Sequence, residues 1–443
     1  MNQKKWLNEL EDRGAVISVV GLGYVGLPTA LNFHDAGFRV IGIDSSKEVV
    51  ESLNDGKIHL PDTSFVESIP RDKNWKVTDN YEEAIPFSDV VLITVPTPVN
   101  DDNSPNLDYV RSAVSSVLDN VKSDHKTIIV LESTVFPGVT RDVFREYCEE
   151  GQISIGEDVF PAYCPERVDP GPNGREINSV AQIVGCDYPK IGEFLASMFS
   201  RITSEQSIYV GNIEVAEAAK LIENVQRDID IAFANELAMV LPKIGVDVED
   251  VLDAASTKWN FHRHSPGVGV GGHCIPVDPY YYIDLARNTG IPSLLANASR
   301  EINSAMPEYA ARQIRKIFKG NLSNKKCLIL GYSYKPGLGD TRETPVKELV
   351  IQLRRQNCEL FIWDPLVGID EFPDEAQAVS NPYEIEEIDI VILATAHQEI
   401  LDIDWAKLSG NCNTPIIYDG RRVLDKSAFI ESGWAYYGIG IPS

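Results

Sequence analysis

The segment from Gly267 to Pro279, GVGVGGHCIPVDP, combines several glycines with one cysteine, Cys274, and one acid, Asp278. Because glycine lacks a Cβ, the backbone of such a segment can approach a ligand closely. A thiol at the end of this loop is placed to act as a nucleophile, and the carboxylate four residues later can orient water or a proton. The alternative is a buried, inert cysteine, which the glycines, His273 beside the thiol and Asp278 after it make less favoured.

A second glycine-rich segment lies near the start of the chain. Gly21, Gly23 and Gly26 fit the pattern GxGxxG, after an apolar run and before a helical pattern. In that context the first glycine makes a tight turn, the second lets a pyrophosphate approach, and the third lets the helix pack on the strand. Asp44 lies 21 residues after Gly23. An acid there binds a ribose 2′-hydroxyl and repels a 2′-phosphate, so the pattern predicts NAD rather than NADP.

Five polar residues elsewhere could serve the same chemistry, and each also has a structural interpretation. Thr97 and Thr134 follow predicted strands, where a hydroxyl can bind the cofactor or substrate or can cap a turn. Glu166 could be a general base acting through water, or a solvated surface residue. Lys220 and Asn224 are four residues apart and share one face of a predicted helix. The lysine could stabilise an oxyanion or extend its ammonium to solvent.

The organisation of the chain predicts what positions these groups. Up to about residue 200, short apolar runs alternate with helical patterns, as in a doubly wound α/β sheet. The first β-turn-α-β unit covers Ala15 to Ile43. From Ile213 to Leu241 no proline or glycine interrupts a helical pattern, which predicts a spine helix of roughly 28 residues, about 42 Å long. A further α/β pattern without GxGxxG begins near residue 320, with strands at Lys326 to Leu330 and Glu359 to Trp363.

Composition excludes several classes of function. The 443 residues carry a formal net charge of −26, which argues against binding to nucleic acid. The seven cysteines are scattered and form no CxxC pair, so the sequence predicts neither a metal site nor a disulfide framework. No apolar run approaches the ~18 residues of a membrane span, so no membrane association is expected. A reducing cytoplasm is the expected location.

Eight segments in the same order give the chain a resemblance to a known family. They read GLGYVGLP, VPTP, ESTVFPG, PERVDPG, VAEAAKLIENVQRDI, GGHCIPVDP, YKPGLGDTRE and DGRR. Over essentially its whole length the chain resembles the UDP-glucose/GDP-mannose dehydrogenase family. The PERVDPG, ENVQRD, KWNF and GGHCIPVDPYY segments are similar to the branch that acts on UDP-N-acetylhexosamines.

The resemblance implies an α/β fold in which two Rossmann-like doubly wound domains are joined by a central all-helical domain with a long spine helix. The expected boundaries are 1–200 for the NAD-binding domain, 201–305 for the helical dimerisation domain and 306–443 for the UDP-sugar-binding domain. The implied reaction is a four-electron oxidation of the sugar C6 hydroxyl to a uronic acid, through a thiohemiacetal and a thioester on Cys274, with two NAD⁺ consumed. The implied partners are the UDP-sugar and a second copy of the chain, in a homodimer or higher oligomer.

The resemblance also implies roles for individual residues. Cys274 is the expected nucleophile, Lys220 with Asn224 binds the sugar and stabilises the oxyanion, and Glu166 with Asp278 manages water and protons. The expected catalytic set is Cys274, Lys220, Glu166, Asp278, Asn224 and Thr134. The expected cofactor contacts are Gly21, Gly23, Tyr24, Val25, Gly26, Asp44, Thr97, Thr134 and Arg342. The expected substrate contacts are Glu166, Arg167, Lys220, Asn224, Arg263, Gly271, Lys335 and Arg421.

Two departures from the family pattern and three alternatives remain. Some relatives carry an arginine where this chain has Val49, and some carry a lysine where it has Val277, so the contacts of those side chains are not expected here. Arg263 is the residue expected to reach a neighbouring subunit's ligand. The alternatives are a UDP-glucose 6-dehydrogenase, a two-electron hydroxyacid dehydrogenase, and a non-catalytic NAD-binding sensor. Counting the NADH formed per sugar distinguishes a two-electron dehydrogenase, which forms one, from a four-electron dehydrogenase, which forms two.

Overall fold

A computed structural model describes residues 3–60, 68–150, 153–167 and 177–442. In these residues the strands are β1 (Val16–Val20), β2 (Arg39–Ile43), β3 (Trp75–Thr78), β4 (Val90–Ile93), β5 (Thr127–Leu131), β6 (Val159–Tyr163), β7 (Ile183–Cys186), β8 (Ile208–Gly211), β9 (Lys326–Leu330), β10 (Glu359–Trp363), β11 (Gln377–Ala378), β12 (Ile390–Leu393), β13 (Ile416–Asp419) and β14 (Ala435–Gly438). The helices are α1 (Gln3–Arg13), α2 (Gly26–Asp35), α3 (Lys47–Asn54), α4 (Asp108–Leu118), α5 (Val139–Glu150), α6 (Pro189–Phe199), α7 (Ile213–Val240), α8 (Val248–Ser256), α9 (Asp278–Asn288), α10 (Leu294–Ile317), α11 (Pro345–Arg354), α12 (Gln398–Leu401), α13 (Trp405–Gly410) and α14 (Lys426–Glu431).

The chain forms two compact units. The first unit comprises Met1–Glu223 and Tyr280–Ile291, and the second comprises Asn224–Pro279 and Pro292–Ser443. The expected fold class is confirmed: each unit has a Rossmann-like sheet, and a long helix, α7, runs between the segments that carry the sheets. The boundaries expected near residues 200 and 305 stay predictions.

The first unit is built on a sheet with the strand order β3-β2-β1-β4-β5-β6-β7-β8. The first six strands in this order are parallel, and β7 pairs antiparallel with β6. Strands β4 and β5 are buried along their whole length, which explains why they read as continuous apolar runs rather than as alternating patterns. The carboxyl ends of β1, β4 and β5 therefore meet at one edge of the sheet, which is where such folds bind ligands.

The second unit repeats this architecture. Its sheet has the order β11-β10-β9-β12-β13-β14 and all its strand pairs are parallel. This order matches that of the six parallel strands in the first unit, so the topological switch point lies beside the central strand in both sheets. The strands expected at Lys326–Leu330 and Glu359–Trp363 are confirmed with the same bounds.

Helix α7 has 28 residues and is anchored in each unit by a buried carboxylate. In the first unit Glu217 accepts hydrogen bonds from the backbone N–H groups of Gly138 and Thr140, at 2.6 and 2.9 Å. These donors lie at the start of α5, where unpaired N–H groups and the helix dipole favour a negative charge. The contact fixes α7 against the segment that carries Thr134. None of the helices in the described ranges is both long and apolar enough to cross a membrane.

In the second unit the anchor of α7 is a buried ion pair with α10. The Arg300 guanidinium donates to Asp228 Oδ1 at 2.7 Å, and both side chains are almost fully buried. Ser299 donates to the other carboxylate oxygen at 2.7 Å, and Asn303 donates to Asp228 Oδ1 at 2.8 Å. The buried charge is therefore both paired and hydrogen-bonded, which is the condition under which an interior carboxylate is tolerated.

We expect Arg300→Leu to destabilise the second unit by about 3–5 kcal/mol, because it leaves the Asp228 carboxylate buried without its cation. Arg312 on the same helix supplies a matched control, since its ion pair with Glu308 is more than half exposed. Arg312→Leu should cost less than about 0.5 kcal/mol. Urea denaturation followed by circular dichroism measures both, and equal losses would contradict the assignment of Arg300 as the anchor.

Candidate functional site

The turn after β1 has the geometry expected of a dinucleotide loop. Gly21 has a φ of +89°, which favours glycine, and its N–H donates to the carbonyl of Ile43 at 2.8 Å. Gly26 lies so close to Gly21 that a Cβ on it would collide with the Gly21 carbonyl oxygen. Gly23 differs, because a Cβ there would project into open space. The first and third glycines thus serve the turn and its packing, while the second leaves room above the start of α2.

The Asp44 carboxylate lies directly beside this turn. Its Oδ2 accepts the N–H of Leu22 at 2.8 Å, and its Oδ1 accepts the N–H of Ser46 at 2.9 Å. Each oxygen keeps acceptor capacity for a ribose hydroxyl. At the N-terminus of α2 the capping residue is Val25, whose side chain makes no capping bond. Backbone N–H groups of the first turn are therefore suited to a pyrophosphate, and the residues fit NAD.

Two hydroxyls and an unexpected acid lie in the loops after β4 and β5. Thr97 and Thr134 are half-buried there, at the edge of the sheet predicted from the sequence. Glu132 is 3 % exposed, and burial, assisted by the charge of Glu166, raises its carboxyl pKa well above the usual range. Sequence reasoning missed Glu132 because an acid next to an apolar strand reads as a strand end. The sequence feature that could have identified Glu132 as a site residue is its position directly after a fully buried strand and two residues before Thr134.

Lys220 and Glu166 come together in the first unit. The Lys220 side chain is almost fully buried, and its ammonium donates to the backbone carbonyl of Glu166 at 2.6 Å. The alternative of a solvent-directed lysine is therefore wrong. Arg167, expected to contact substrate, makes a bidentate ion pair with Glu223 at 2.8 and 3.2 Å. The rest of PERVDPG, residues 168–171, lies outside the described residues.

The loop that carries Cys274 belongs to the second unit and is anchored at three points. The N–H of Gly267 donates to Asn235 Oδ1 on α7 at 3.0 Å. The N–H of Gly272 donates to the backbone carbonyl of Arg342 at 3.2 Å. The Arg300 guanidinium, besides its ion pair, donates to the carbonyl of Ile275 at 3.4 Å. The half-buried thiol therefore lies on a backbone that the protein holds in place before any ligand arrives.

Cys274, Asp278 and Asn224 form a connected group in the same unit. The N–H of Asp278 donates to the carbonyl of Cys274 at 2.8 Å, which closes the turn that starts α9. The Asn224 side-chain amide donates to Asp278 Oδ2 at 2.5 Å. Asp278 is 2 % exposed, so this amide orients a carboxylate that has little contact with solvent. The structure thus brings the expected acid and the expected amide into contact, on a turn that begins at the backbone carbonyl of the expected nucleophile.

The glycines of the Cys274 loop permit its contact with two other predicted segments. A Cβ on Gly271 or Gly272 would collide with Tyr334, which precedes Lys335, and a Cβ on Gly267 would crowd the guanidinium of Arg421. The loops that follow β9 and β13 therefore pack against the Cys274 loop. Gly271, expected to contact substrate, lies at this junction, and Lys335, which follows Tyr334 in the chain, is half-buried.

Arg421 is a half-buried arginine whose guanidinium has no carboxylate partner among the described residues. Its Nε donates to the carbonyl of Ala394 at 2.5 Å, and its Nη2 is buried without a hydrogen-bond partner. Burial lowers the pKa of this guanidinium to about 10, with Asp419 opposing that effect. A buried guanidinium that is not neutralised is suited to an anionic ligand such as a phosphate.

Two other predicted arginines already have acidic partners. Arg342, expected to reach the cofactor, donates to both oxygens of Asp340, at 2.6 to 3.1 Å. Arg263, expected to reach a neighbouring subunit's ligand, pairs with Glu249 and with Asp253. These ion pairs do not test the predicted roles of Arg342 and Arg263. A ligand that binds either arginine would have to compete with its carboxylate partner.

Three family models match the chain in sequence order. Residues 15–203 match the NAD-binding domain of the UDP-glucose/GDP-mannose dehydrogenase family. Residues 214–305 match the central domain of that family, and residues 328–426 match its UDP-binding domain.

Individual relatives extend over nearly the whole chain. A UDP-N-acetyl-D-mannosamine dehydrogenase of Pyrococcus horikoshii is 33 % identical over 430 residues, covering 96 % of this chain and 99 % of the relative. A UDP-N-acetyl-D-glucosamine 6-dehydrogenase of Salmonella typhi is 33 % identical over 415 residues, covering 92 % and 96 %. The solved structure of a UDP-glucose dehydrogenase from Pyrobaculum islandicum is similar with a TM-score of 0.85 at 27 % identity, covering 96 % of this chain and 98 % of that one.

Gly23 and Gly26 of the turn after β1 give a matched pair of substitutions. We expect Gly23→Ala to leave the melting temperature almost unchanged, because its Cβ meets open space, but to weaken NAD binding more than tenfold by filling the space for the pyrophosphate. Gly26→Ala should instead lower stability by about 1–3 kcal/mol, because its Cβ collides with the Gly21 carbonyl. Calorimetric NAD titration and thermal melting measure the two effects. Normal NAD affinity in folded Gly23→Ala would exclude this loop as the cofactor site.

Proposed function

The chain belongs to the UDP-glucose/GDP-mannose dehydrogenase family, and we propose that it oxidises the C6 hydroxyl of a UDP-N-acetylhexosamine to the carboxylate. The observation that carries the proposal is the anchored loop of the second unit, in which Cys274 is joined to Asp278 and Asn224. A two-electron dehydrogenase needs no thiol, whereas oxidation to the acid can use one to hold the intermediate aldehyde.

The substrate class is supported by the residues of the second unit. The segment matched by the UDP-binding family model contains Lys335, Arg342 and Arg421. Of these, Arg421 has a buried guanidinium nitrogen without a protein partner among the described residues. We assign it to the diphosphate, because leaving a buried donor unpaired costs free energy that an anionic ligand would recover. Lys335 and Gly271 are proposed as further substrate contacts.

NAD⁺ would be held by the turn after β1 in the first unit and would accept the hydride in each of two oxidations, so that one alcohol, two NAD⁺ and one water give the carboxylate, two NADH and three protons. In the first oxidation the C6 carbon loses a hydride and its hydroxyl loses a proton, which leaves the aldehyde. The Cys274 sulfur adds to the aldehyde carbon to give a thiohemiacetal. Loss of a hydride from that carbon leaves a thioester, and water then breaks the C–S bond to release the acid and restore the thiol. From the capture of the aldehyde to the release of the acid, the covalent bond retains the intermediate on the protein.

Charged and polar neighbours are proposed to assist these steps. Lys220 stabilises the oxygen that becomes negative, with Asn224 as a second donor, and removal of such a donor typically lowers kcat by about 10²–10³-fold. Asp278 accepts the proton of the attacking water, held in orientation by the Asn224 amide. Glu166 and Thr134, both in the first unit, are proposed to position water and the sugar.

The preference for an N-acetylhexosamine rests on the names of the relatives. The Pyrococcus horikoshii and Salmonella typhi enzymes carry N-acetylated sugars in their names, for mannosamine and glucosamine respectively. UDP-glucose is the alternative, because the Pyrobaculum islandicum structure is similar in fold over 96 % of this chain and bears that substrate's name. A panel of UDP-sugars followed by NADH absorbance decides between them. Faster turnover of UDP-glucose than of any N-acetylated sugar would contradict the preference.

We also propose a homodimer and a cytoplasmic location. Helix α7 exposes large apolar side chains in its second half, including Phe233 and Val240, which are both about half exposed. Such residues on a long helix are suited to burial against a second copy of the chain. All seven cysteines are free, as in a protein of a reducing compartment.

Replacement of the thiol tests the covalent route. We expect Cys274→Ala to lose formation of the sugar acid by at least about 10³-fold, because no sulfur holds the aldehyde. Cys412→Ala is the matched control, since its thiol is also half-buried but lies outside the site. The measurement is NADH formed per sugar consumed, expected to be two for the wild type and the control. Acid formation with two NADH per turnover in Cys274→Ala would exclude the thiol intermediate.

Substitutions of the adjacent residues Arg421 and Arg422 test whether Arg421 binds the diphosphate. We expect Arg421→Met to weaken UDP binding by about 10–100-fold without loss of stability, because it removes a buried charge that has no carboxylate partner. Arg422→Met should lower stability instead, since Arg422 makes a bidentate ion pair with Asp247 in which both side chains are at most 10 % exposed. Calorimetric titration with UDP and urea denaturation separate the two results. Unchanged UDP affinity in Arg421→Met would place the diphosphate elsewhere.

A further inference from the structure

A buried polar cluster lies where β9, β10 and β12 end, outside the residues so far assigned to substrate. His397 has no exposed side-chain area, and its Nε2 lies 3.0 Å from Asp364 Oδ2 and 2.9 Å from Ser333 Oγ. Its other ring nitrogen, Nδ1, accepts the backbone N–H of Gly337 at 3.0 Å. One imidazole thus connects a carboxylate to the loop between Ser333 and Gly337.

The contacts determine which ring nitrogen carries the proton. An N–H donor faces Nδ1, so that nitrogen must be unprotonated. The Ser333 hydroxyl donates its only hydrogen to the carbonyl of Lys335 at 3.1 Å, so it acts as an acceptor toward Nε2. The contacts therefore place the ring proton on Nε2, where Asp364 and Ser333 share it. Protonation of Nδ1 or loss of the ring would break the bond to Gly337.

The turn after β9 in the second unit has the same backbone contacts as the turn after β1 in the first unit. There Gly21 N–H donates to the end of β2 and Leu22 N–H to the Asp44 carboxylate. In the second unit Gly331 N–H donates to the end of β10 at 2.8 Å, and Tyr332 N–H donates to Asp364 Oδ2 at 2.7 Å. Asp364 therefore occupies the position of the ribose-binding acid.

Asp364 has less acceptor capacity left than Asp44, because three protein donors share its Oδ2. Its Oδ2 accepts from Tyr332 and Ser333 as well as from His397, and its Oδ1 accepts from Leu366. The acid that binds ribose in one sheet binds a histidine in the other. The histidine in turn holds the segment 333–337, whose centre is Lys335.

We propose that His397 is a positioning residue for Lys335, holding the loop of that lysine in its substrate-binding conformation by bridging Asp364 to the N–H of Gly337. The inference rests on the proposed function of Lys335 as a substrate contact. The bridge is rigid because every polar atom of the imidazole is bonded to the protein. A preformed loop binds its ligand more tightly than one that must be ordered on binding.

Three substitutions of His397 distinguish its contact with Asp364 from its contact with the N–H of Gly337. His397→Asn places an oxygen near the position of Nδ1 and keeps the bond to Gly337, whereas His397→Gln reaches Asp364 and loses that bond. His397→Phe keeps the ring volume and loses both. Tyr418→Phe is the control, since it removes a buried hydroxyl of the same sheet that has no hydrogen-bond partner among the described residues.

The direct readout is hydrogen exchange at the amide of Gly337 in the full-length protein. We expect exchange to accelerate at least tenfold in the Phe and Gln variants and to stay near the wild-type rate in the Asn variant and in Tyr418→Phe. The affinity for UDP, measured by calorimetry, should fall about five- to tenfold in the Phe and Gln variants, as for the loss of one hydrogen bond, with NAD affinity unchanged.

Lys335→Ala, titrated with UDP in parallel, distinguishes failure of this inference from failure of the proposed function. Normal UDP affinity in Lys335→Ala would reject the assignment of Lys335 itself and the inference with it. Weakened binding in Lys335→Ala, together with normal binding or normal Gly337 exchange in folded His397→Phe, would overturn the inference and leave the proposed function standing. Equal loss of NAD and UDP affinity in all three His397 variants would show a general structural role and would also overturn it.

Discussion

The buried Asp228–Arg300 ion pair is the constraint on which the organisation of the second unit depends. It joins α7 to α10, and the same guanidinium contacts the carbonyl of Ile275, next to the proposed nucleophile. Asn303 extends the network from Asp228 to Asn235, which holds the start of the Cys274 loop through Gly267. A glycine-rich loop has high conformational freedom when unfolded, so these buried polar contacts are what give it one conformation.

Much of the fold could be predicted from the sequence, because buried parallel strands and an uninterrupted helix leave strong patterns. The strands at Arg39–Ile43 and Lys326–Leu330 and the helix beginning at Ile213 appear as predicted. The antiparallel pairing of β7 could not be predicted, since it depends on which edge of the sheet a short strand reaches. Within the site, the spacing of Lys220 and Asn224 predicted a shared helix but not their separate partners.

What the sequence could not provide is the pairing of charged side chains. Arg167, Arg342 and Arg421 look alike in the sequence as candidates for an anionic ligand, the first and third for the substrate and the second for the cofactor. In the structure the first two have carboxylate partners and the third has none among the described residues. Likewise Asp44 and Asp364 occupy equivalent positions in two sheets, and only the three-dimensional contacts show that a histidine uses the second. These differences arise from long-range contacts, which local sequence patterns do not encode.

The measurement that most directly tests the central claim is a search for the covalent intermediate on the thiol. The protein would be mixed with a UDP-N-acetylhexosamine and NAD⁺, quenched in acid during turnover and mapped by peptide mass spectrometry. The account predicts an acyl adduct of the oxidised sugar nucleotide on the peptide that contains Cys274. Accumulation of the sugar acid during turnover with no adduct on that peptide, or an adduct on a different cysteine, would contradict it.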